Sequence, residues 1–269
     1  MLVARPAGPA HLDKPRRVTV RTEARSRLRG GSGPLAAAVV MAWISVVLVL
    51  DSAGTIWLQR GLGVLTWCLL VGMLLRESPL VRMQTAVVVA FATAVEYTFS
   101  PLLEVYVYRF DNVPAYVPPG HGLVYLAALG LSRSRWVQTK LRGCTTAVLV
   151  IGGAYSLWGL TLGPRPDVLG AVWYACLVAF VLWGPSRTLY LGAFIVVTYL
   201  EIVGTALGTW TWQPHDPTGI VAIGNPPSGA AGGYGWFDLA ALLSAPWLLS
   251  RYHVNVVSGH FQWVRTHWK

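Results

Sequence analysis

The sequence predicts an all-α, polytopic membrane protein, a helix bundle of about eight transmembrane helices. Composition, the lengths of the apolar runs and the distribution of positive charge all predict it. Of the 269 residues, 54% are hydrophobic and only 12% are charged, and the mean hydropathy is +0.52. This composition leaves too little polar surface to cover a soluble globule of this size. We therefore expect the chain to fold in a membrane.

Eight apolar runs are interpreted as transmembrane spans. A helix needs roughly 20 apolar residues to cross the hydrocarbon core, and fewer where its neighbours bury it. The predicted spans are 35–50, 61–75, 83–103, 120–131, 144–162, 168–183, 188–207 and 234–249. They form a transmembrane bundle over 34–250, which lies between a basic tail at 1–33 and a second tail at 251–269.

Positive charge alternates along this arrangement. Of the 21 Lys and Arg residues, 18 lie in the two tails and in every second loop, and only Arg60, Arg109 and Arg165 lie on the opposite side. Short cytoplasmic loops retain Lys and Arg, so both termini are predicted to be cytoplasmic in a cell-membrane protein. The net charge of +10 is therefore explained by the Lys and Arg residues of the predicted cytoplasmic tails and loops, and no nucleic-acid partner is expected.

The amino-terminal tail holds eight of these charges in a stretch with Pro, Gly and Ser and no helical apolar period. It is predicted to be disordered. Its role is either to determine topology or to bind anionic lipid headgroups, so membrane lipid is one expected partner.

Two four-helix repeats in parallel orientation are predicted, at about 34–132 and 143–250. The run 118–129 resembles Pro226-Pro227 followed by 233–242. Each run is preceded by a long apolar helix with a glutamate and then by an alternating aromatic pair. These are Glu96 with Tyr106 and Tyr108, and Glu201 with Trp210 and Trp212. An even number of helices gives both copies the same direction through the membrane. Chance similarity between Ala- and Leu-rich segments is the alternative.

Three ionisable residues lie inside predicted spans and are the candidate catalytic residues: Glu96, Glu201 and Asp238. A charged group at mid-helix costs roughly 2.5 to 3.5 kcal/mol, so each invites a functional explanation. If the repeats pack about a common axis, Glu96 and Glu201 face one central cavity and act as an acid/base pair. The alternative is that each hydrogen-bonds a neighbouring helix. Asp51 and Glu104, at predicted outer helix ends, are expected to be solvated.

The two longest non-cytoplasmic loops, 104–119 and 209–233, are rich in Pro, Gly and aromatic residues. Long loops without secondary structure often form lids or binding walls, although aromatic rings also concentrate at membrane interfaces. The candidate substrate-binding residues are Trp210, Trp212, Tyr106, Tyr108, His121 and Asn225.

No metal site or cofactor is predicted. The three cysteines show no CxxC or Cys/His spacing, and His121 and His215 lack a third ligand at a recognisable spacing. The chain has no nucleotide-binding glycine motif, no GxSxG and no HExxH. Hydride transfer and the familiar hydrolase chemistries therefore lack their usual support.

The run from Glu201 to Trp212, an acid seven residues before Gly-x-Trp-x-Trp, resembles a signature of membrane-embedded carotenoid hydratases of the bisanhydrobacterioruberin hydratase type. Asn225-Pro226 and Gly235-Trp236 are similar to the segment that follows in that family. The resemblance implies cofactor-free acid catalysis on a polyene, with Glu201 as the proton donor.

The leading hypothesis is therefore an acid/base enzyme acting on an isoprenoid or other lipid, by hydration or cyclisation. Asp238 would assist the two glutamates, and the substrate would be an apolar small molecule. Two other classes stay open. One is a proton-coupled transporter of a lipid or other small molecule, and the other is a membrane scaffold without chemistry.

Overall fold

The computed structural model describes residues 33–257 and 260–265, with the backbone path alone from 252 onward. Nine α-helices lie in this part of the chain: α1 Pro34–Ala53, α2 Ile56–Leu74, α3 Pro79–Tyr97, α4 Val117–Ser132, α5 Arg135–Thr139, α6 Leu141–Thr161, α7 Val168–Trp183, α8 Arg187–Ala206 and α9 Ala230–Arg251. A π-helical turn, Thr98–Leu102, continues α3. Apart from Gly33, the predicted tail 1–33 lies outside the described residues.

In the part of the chain that the structure describes, five helices are long and apolar enough to cross a membrane: α1, α2, α3 with its π-helical turn, α6 and α8. The predicted helical class, with several helices able to span a membrane, is confirmed. Each of the eight predicted spans overlaps one helix, but α4 and α7, with 16 residues each, are shorter, and α9, with 22 residues, is long enough but is not among the five. The count of eight spans stays a prediction.

Local sequence explains where several helices begin. Proline stands at the first position of α1 and of α3, where its missing N–H is not needed. The side chains of Thr55 and Ser78 accept hydrogen bonds from the third residue of α2 and of α3. These caps satisfy backbone donors that have no partner within the helix.

Helix α4 lies at the centre of the bundle and packs against α1, α3 and α8, whereas α9 packs against α3, α7 and α8. Most of α4 is buried. Gly192 of α8 lies against the backbone of Ala128 in α4, where a Cβ would overlap the Ala128 carbonyl. The helices around this centre expose large apolar side chains such as Trp57, Val64 and Ile151, as expected where a protein faces lipid.

Four short strands complete the described chain. Strand β1, Tyr106–Tyr108, pairs antiparallel with β2, Trp210–Trp212, and β3, Tyr252–Val257, pairs antiparallel with β4, His260–Arg265, inside the predicted tail 251–269. The expectation that the loops 104–119 and 209–233 lack secondary structure was wrong. Strands β1 and β2 are about a hundred residues apart, so no local hairpin signal marks them. We call this pair the aromatic ribbon.

Candidate functional site

A cavity of about 780 Å³ lies in the described bundle beside the aromatic ribbon. Its walls come from α1, α2, α3, α4, α7, α8 and α9, from the ribbon and from adjoining loops, and most of its lining side chains are aliphatic or aromatic. Glu96 and Glu201 both line it, as does His121. An apolar chamber with a few polar groups that converge on it is typical of a small-molecule site.

Glu96, near the end of α3, is hydrogen-bonded to three side chains. The hydroxyls of Tyr106 and Tyr108 both donate to Oε2 at 2.8 Å. Nε2 of His121, on α4, lies 2.8 Å from Oε1. Tyr106 and Tyr108 are two residues apart on β1, so both side chains point to the same face of the ribbon. We call these four residues the Glu96 cluster.

Glu201, near the end of α8, is bonded by two indoles. Nε1 of Trp210 and Nε1 of Trp212 donate to its Oε2 at 3.2 and 3.1 Å. Both bonds end on Oε2, which leaves Oε1 without an indole donor. Gly204 makes this arrangement possible, because a Cβ there would overlap the ring of Trp210. We call Glu201, Trp210 and Trp212 the Glu201 cluster.

The aromatic ribbon joins the two clusters. Its register pairs Tyr106 with Trp212 and Tyr108 with Trp210. The paired rings lie 4.5 and 6.2 Å apart between centroids. Across the cavity the ring of His121 stacks on that of Tyr234 at 5.1 Å. The two carboxyl groups are thus held by one continuous set of aromatic side chains.

The hydroxyls of Tyr106 and Tyr108, on the ribbon, remain protonated donors. Burial raises the pKa of each phenol well above its usual range, and the negative charge of Glu96 raises it further. A phenol that keeps its proton continues to donate to the carboxyl. The two hydroxyls therefore hold Oε2 of Glu96 as a hydrogen-bond acceptor.

Two buried aspartates hold the loops that close the cavity. Asp51 accepts hydrogen bonds from Gln59 Nε2 at 3.0 Å and from the Tyr116 hydroxyl at 2.9 Å, and the Arg109 guanidinium lies 3.8 Å away. The expectation that Asp51 is solvated was wrong, since its exposed fraction is 0%. It is buried because loop residues far along the chain fold over the end of α1. Glu104 is exposed, as expected.

Asp167 holds the second loop. Its Oδ1 accepts from the backbone N–H groups of Gly170 and Gly224 at 2.9 and 2.8 Å. Its Oδ2 accepts from the N–H and the hydroxyl of Ser228 at 2.6 and 2.7 Å. Sequence analysis missed this residue, because three of its four bonds come from backbone groups, which carry no side-chain signature.

The structure brings seven of the nine candidate residues together on the cavity wall: Glu96, Glu201, Tyr106, Tyr108, Trp210, Trp212 and His121. Asp238 is buried on α9, next in sequence to Phe237, which lines the cavity, but Asp238 itself is not part of the wall. Asn225 supports the wall from behind, where its Oδ1 accepts the backbone N–H of Trp212 at 3.0 Å.

Sequence analysis did not select Tyr234 as a site residue, although it lines the cavity. The signal was present, because Tyr234 occupies the place of His121 when the two repeated runs are aligned. His215, considered as a partner of His121, is exposed, whereas His121 is buried. Within the described residues, no three His, Cys, Asp or Glu side chains are grouped so as to hold a metal ion.

Comparison of the chain with protein-family models, with curated proteins and with solved structures finds no match.

Proposed function

We propose that this chain is a membrane enzyme that uses acid/base catalysis, without a cofactor, on an isoprenoid or other unsaturated lipid, by hydration or cyclisation. The observation that carries the proposal is that Glu96 and Glu201 line one apolar, aromatic cavity. A carboxyl group in such a chamber is suited to give a proton to an alkene or take one from a bound water.

Glu201 is the proposed acid. In the first step its Oε1–H bond breaks, and the π electrons of the alkene form a new C–H bond, which leaves a carbocation on the neighbouring carbon. The two indole N–H groups on Oε2 then stabilise the carboxylate that this step produces. The resemblance of 201–212 to membrane carotenoid hydratases supports the same assignment.

The aromatic walls and Glu96 complete the reaction. The ring faces of Trp and Tyr side chains attract positive charge and so lower the energy of the carbocation. Water adds to the cation and then loses a proton, or a second alkene of the same molecule adds to it and the new cation loses a proton from an adjacent carbon. The proton released goes to the Glu96–His121 pair and returns through cavity water to Glu201. The net change is addition of water in hydration and an isomerisation in cyclisation.

The parallel duplication and the cytoplasmic position of both termini belong to the same proposal. In each half, a carboxyl late in a helix accepts from the strand nine to twelve residues further on, and this supports duplication. The distribution of Lys and Arg supports the topology. The cavity would then open toward the non-cytoplasmic side.

Glu201→Gln tests the proposal. Gln keeps an oxygen for both indole N–H groups but has no acidic proton, so product formation is expected to fall by at least about 100-fold. The measurement compares lipid extracts by mass spectrometry from the native host, a deletion strain, and deletion strains that express the wild type or the variant. An unsaturated lipid should accumulate in the deletion strain and with Glu201→Gln, while wild type restores a product heavier by one water or an isomer.

Glu104→Gln is the matched control, because Glu104 is an exposed glutamate outside the cavity wall. It should restore product to the wild-type level. Equal product from Glu201→Gln and wild type would refute the acid assignment. Unchanged lipid composition in the deletion strain would refute the enzyme and favour the transporter or the scaffold.

A further inference from the structure

The cavity wall has an excess of acidic over basic side chains. Glu96, Glu201 and Asp216 all line it, and no Lys or Arg is present among the described residues that do so. His121 is on the wall as well, hydrogen-bonded to Glu96, but an imidazole is a cation only when it is protonated. The formal charge of the described wall is therefore negative.

The arginines nearest to the wall have partners outside it. Arg109 donates to the backbone carbonyl of Gly54 at 2.6 Å and lies 3.8 Å from the carboxyl group of Asp51. Arg165 donates to the backbone carbonyl of Trp212 at 2.7 Å. Neither guanidinium is part of the cavity lining, so neither takes the place of a counter-ion there.

Glu201 is surrounded by neutral donors alone. The indoles of Trp210 and Trp212 donate to it, and the phenol of Tyr234 is hydrogen-bonded to it. Within the described part of the chain, no ion pair with Lys, Arg or His involves Glu201. Buried charges in proteins are normally paired. A charged Glu201, which the proposed proton transfer produces, therefore requires a cation that these residues do not supply.

Asp216 adds a fixed negative charge on the loop side of the wall. The hydroxyl of Thr218 and the backbone N–H of Val221 donate to its two oxygens at 2.6 and 2.8 Å. These bonds hold the pKa of the Asp216 carboxyl below its usual range. Asp216 is therefore ionised at neutral pH.

Aromatic rings form a large part of the same wall, including five tryptophans: Trp43, Trp173, Trp210, Trp212 and Trp236. The faces of such rings attract cations, and quaternary ammonium groups in particular are bound by clusters of aromatic side chains. The rings and the carboxyl groups of this wall thus favour the same sign of charge on a ligand.

Hydroxyl donors on the wall are already used by protein carboxyls. Those of Tyr106 and Tyr108 donate to Glu96, and that of Tyr116 donates to Asp51. A phosphate or carboxylate headgroup would have to compete with these carboxyls for donors and would be repelled by them. A quaternary ammonium group has no N–H and needs no acceptor, so it loses no hydrogen bond in this cavity.

We propose that the cavity binds a lipophilic organic cation, whose quaternary ammonium group lies among the aromatic rings and carboxyl groups of the wall while its hydrocarbon chain fills the chamber. The inference rests on the proposed function, because the carbocation of that mechanism has the same charge in the same cavity. Binding of a stable ammonium ion does not require any proton transfer by Glu201. The two proposals therefore fail separately.

Intrinsic tryptophan fluorescence measures binding directly, because tryptophans line the cavity. The full chain in phosphatidylcholine nanodiscs, whose lipid has no net charge, is titrated with farnesyltrimethylammonium, with its neutral isostere in which carbon replaces nitrogen, and with farnesyl phosphate. The cation should bind at least about tenfold more tightly than the isostere, because the two probes share a shape and differ in charge. The phosphate should bind at least about tenfold more weakly than the isostere.

Two variants test whether the wall carboxyls attract the cation. Glu96→Gln and Glu201→Gln each remove one carboxyl and keep the size of the side chain. Each should lower the ratio of cation affinity to isostere affinity by at least about threefold. Partition of the probes into the bilayer is the same for every variant and cancels in this comparison. Glu104→Gln is the matched control, since Glu104 is exposed and outside the wall, and it should leave the ratio unchanged.

Equal affinity of the wild type for the cation and the isostere would overturn the inference, as would tight binding of the phosphate or no binding of any probe. A ratio that stays unchanged in both Glu96→Gln and Glu201→Gln would also overturn it, because the cation would then lie outside this wall. If one variant fails to fold, the other variant and the wild-type titrations still decide.

The same measurements separate this inference from the proposed enzyme. Selective binding of the cation together with unchanged lipid composition in the deletion strain would refute the enzyme and leave the ligand class standing. Loss of product with Glu201→Gln, but no preference of the wild type for the cation, would refute the ligand class and leave the enzyme standing.

Discussion

The Glu96 cluster and the Glu201 cluster have the same layout but different donors. In each, a carboxyl late in a helix accepts from alternate residues of the strand that follows. The imidazole beside Glu96 can exchange a proton, whereas the Tyr106 and Tyr108 phenols keep theirs and an indole N–H only donates. One scaffold thus surrounds Glu96 with two phenols and an imidazole, and Glu201 with two indoles and the Tyr234 phenol. In the proposed mechanism, Glu96 with His121 takes up the released proton and Glu201 donates one.

Asp51 and Asp167, the two buried aspartates that hold the loops, also differ in the groups that donate hydrogen bonds to them. Substitutions at these two residues are expected to have the largest effect on stability. The bonds to Asp51 come from side chains that can turn, whereas most of those to Asp167 come from fixed backbone N–H groups. Asp167→Asn would set an amide N–H₂ against backbone donors and lower the free energy of unfolding by about 3 kcal/mol. Asp51→Asn should cost about 1 kcal/mol, because the hydroxyl of Tyr116 can turn to accept.

Thermal unfolding of both variants in the same detergent checks this difference. The two substitutions are chemically identical and both sites are buried, so each controls for the other. Equal losses in the melting temperature would show that the partners of Asp51 are as rigid as backbone, and the contrast between the loops would be wrong.

Gly204 offers a smaller perturbation that acts on the Glu201 cluster alone. Gly204→Val would force the Trp210 ring away from α8, with a loss of about 2 kcal/mol in unfolding free energy from overpacking. The Glu96 cluster has no such constraint, since Phe99 stands at the equivalent spacing after Glu96. Thermal unfolding and the tryptophan emission maximum are the measurements.

Gly72→Ala is the control, because a Cβ at Gly72 meets open space and alanine favours the helix. Its stability should equal or exceed that of the wild type. An unchanged emission maximum and melting temperature in Gly204→Val would contradict close packing of Trp210 on α8.

Removal of a single hydrogen-bond donor to Glu201 or Glu96 is expected to have the smallest effect on stability. Trp212→Phe removes one of two indole donors to Glu201, and Tyr106→Phe removes one of three partners of Glu96. The lost hydrogen bond should cost about 1 kcal/mol at Glu201 and less at Glu96, where two partners remain. Trp173→Phe removes the same ring volume from the wall, so the difference between the two tryptophan variants in thermal unfolding isolates the N–H. No difference would mean that the indole bonds to Glu201 add nothing to stability.

Much of the site was visible in the sequence because its parts lie close together along the chain. Glu96 with Tyr106 and Tyr108, and Glu201 with Trp210 and Trp212, stand at short spacings after an apolar run. A carboxyl in such a run is costly, so both acids were selected for that reason alone. Asp238 also lies in an apolar run and was selected for the same reason, yet it is not part of the cavity wall. The position of a residue in an apolar run does not indicate the direction in which its side chain points.

Sequence alone determined that this chain is built from long apolar helices and that carboxyl groups lie within them, since hydropathy and charge are local properties. Tertiary structure decided that β1 pairs with β2, that Asp51 is buried, and that Glu96 and Glu201 share one cavity with His121. Each of these depends on contacts between residues tens to more than a hundred positions apart. Such contacts are set by how whole helices pack, and no short window of sequence encodes them.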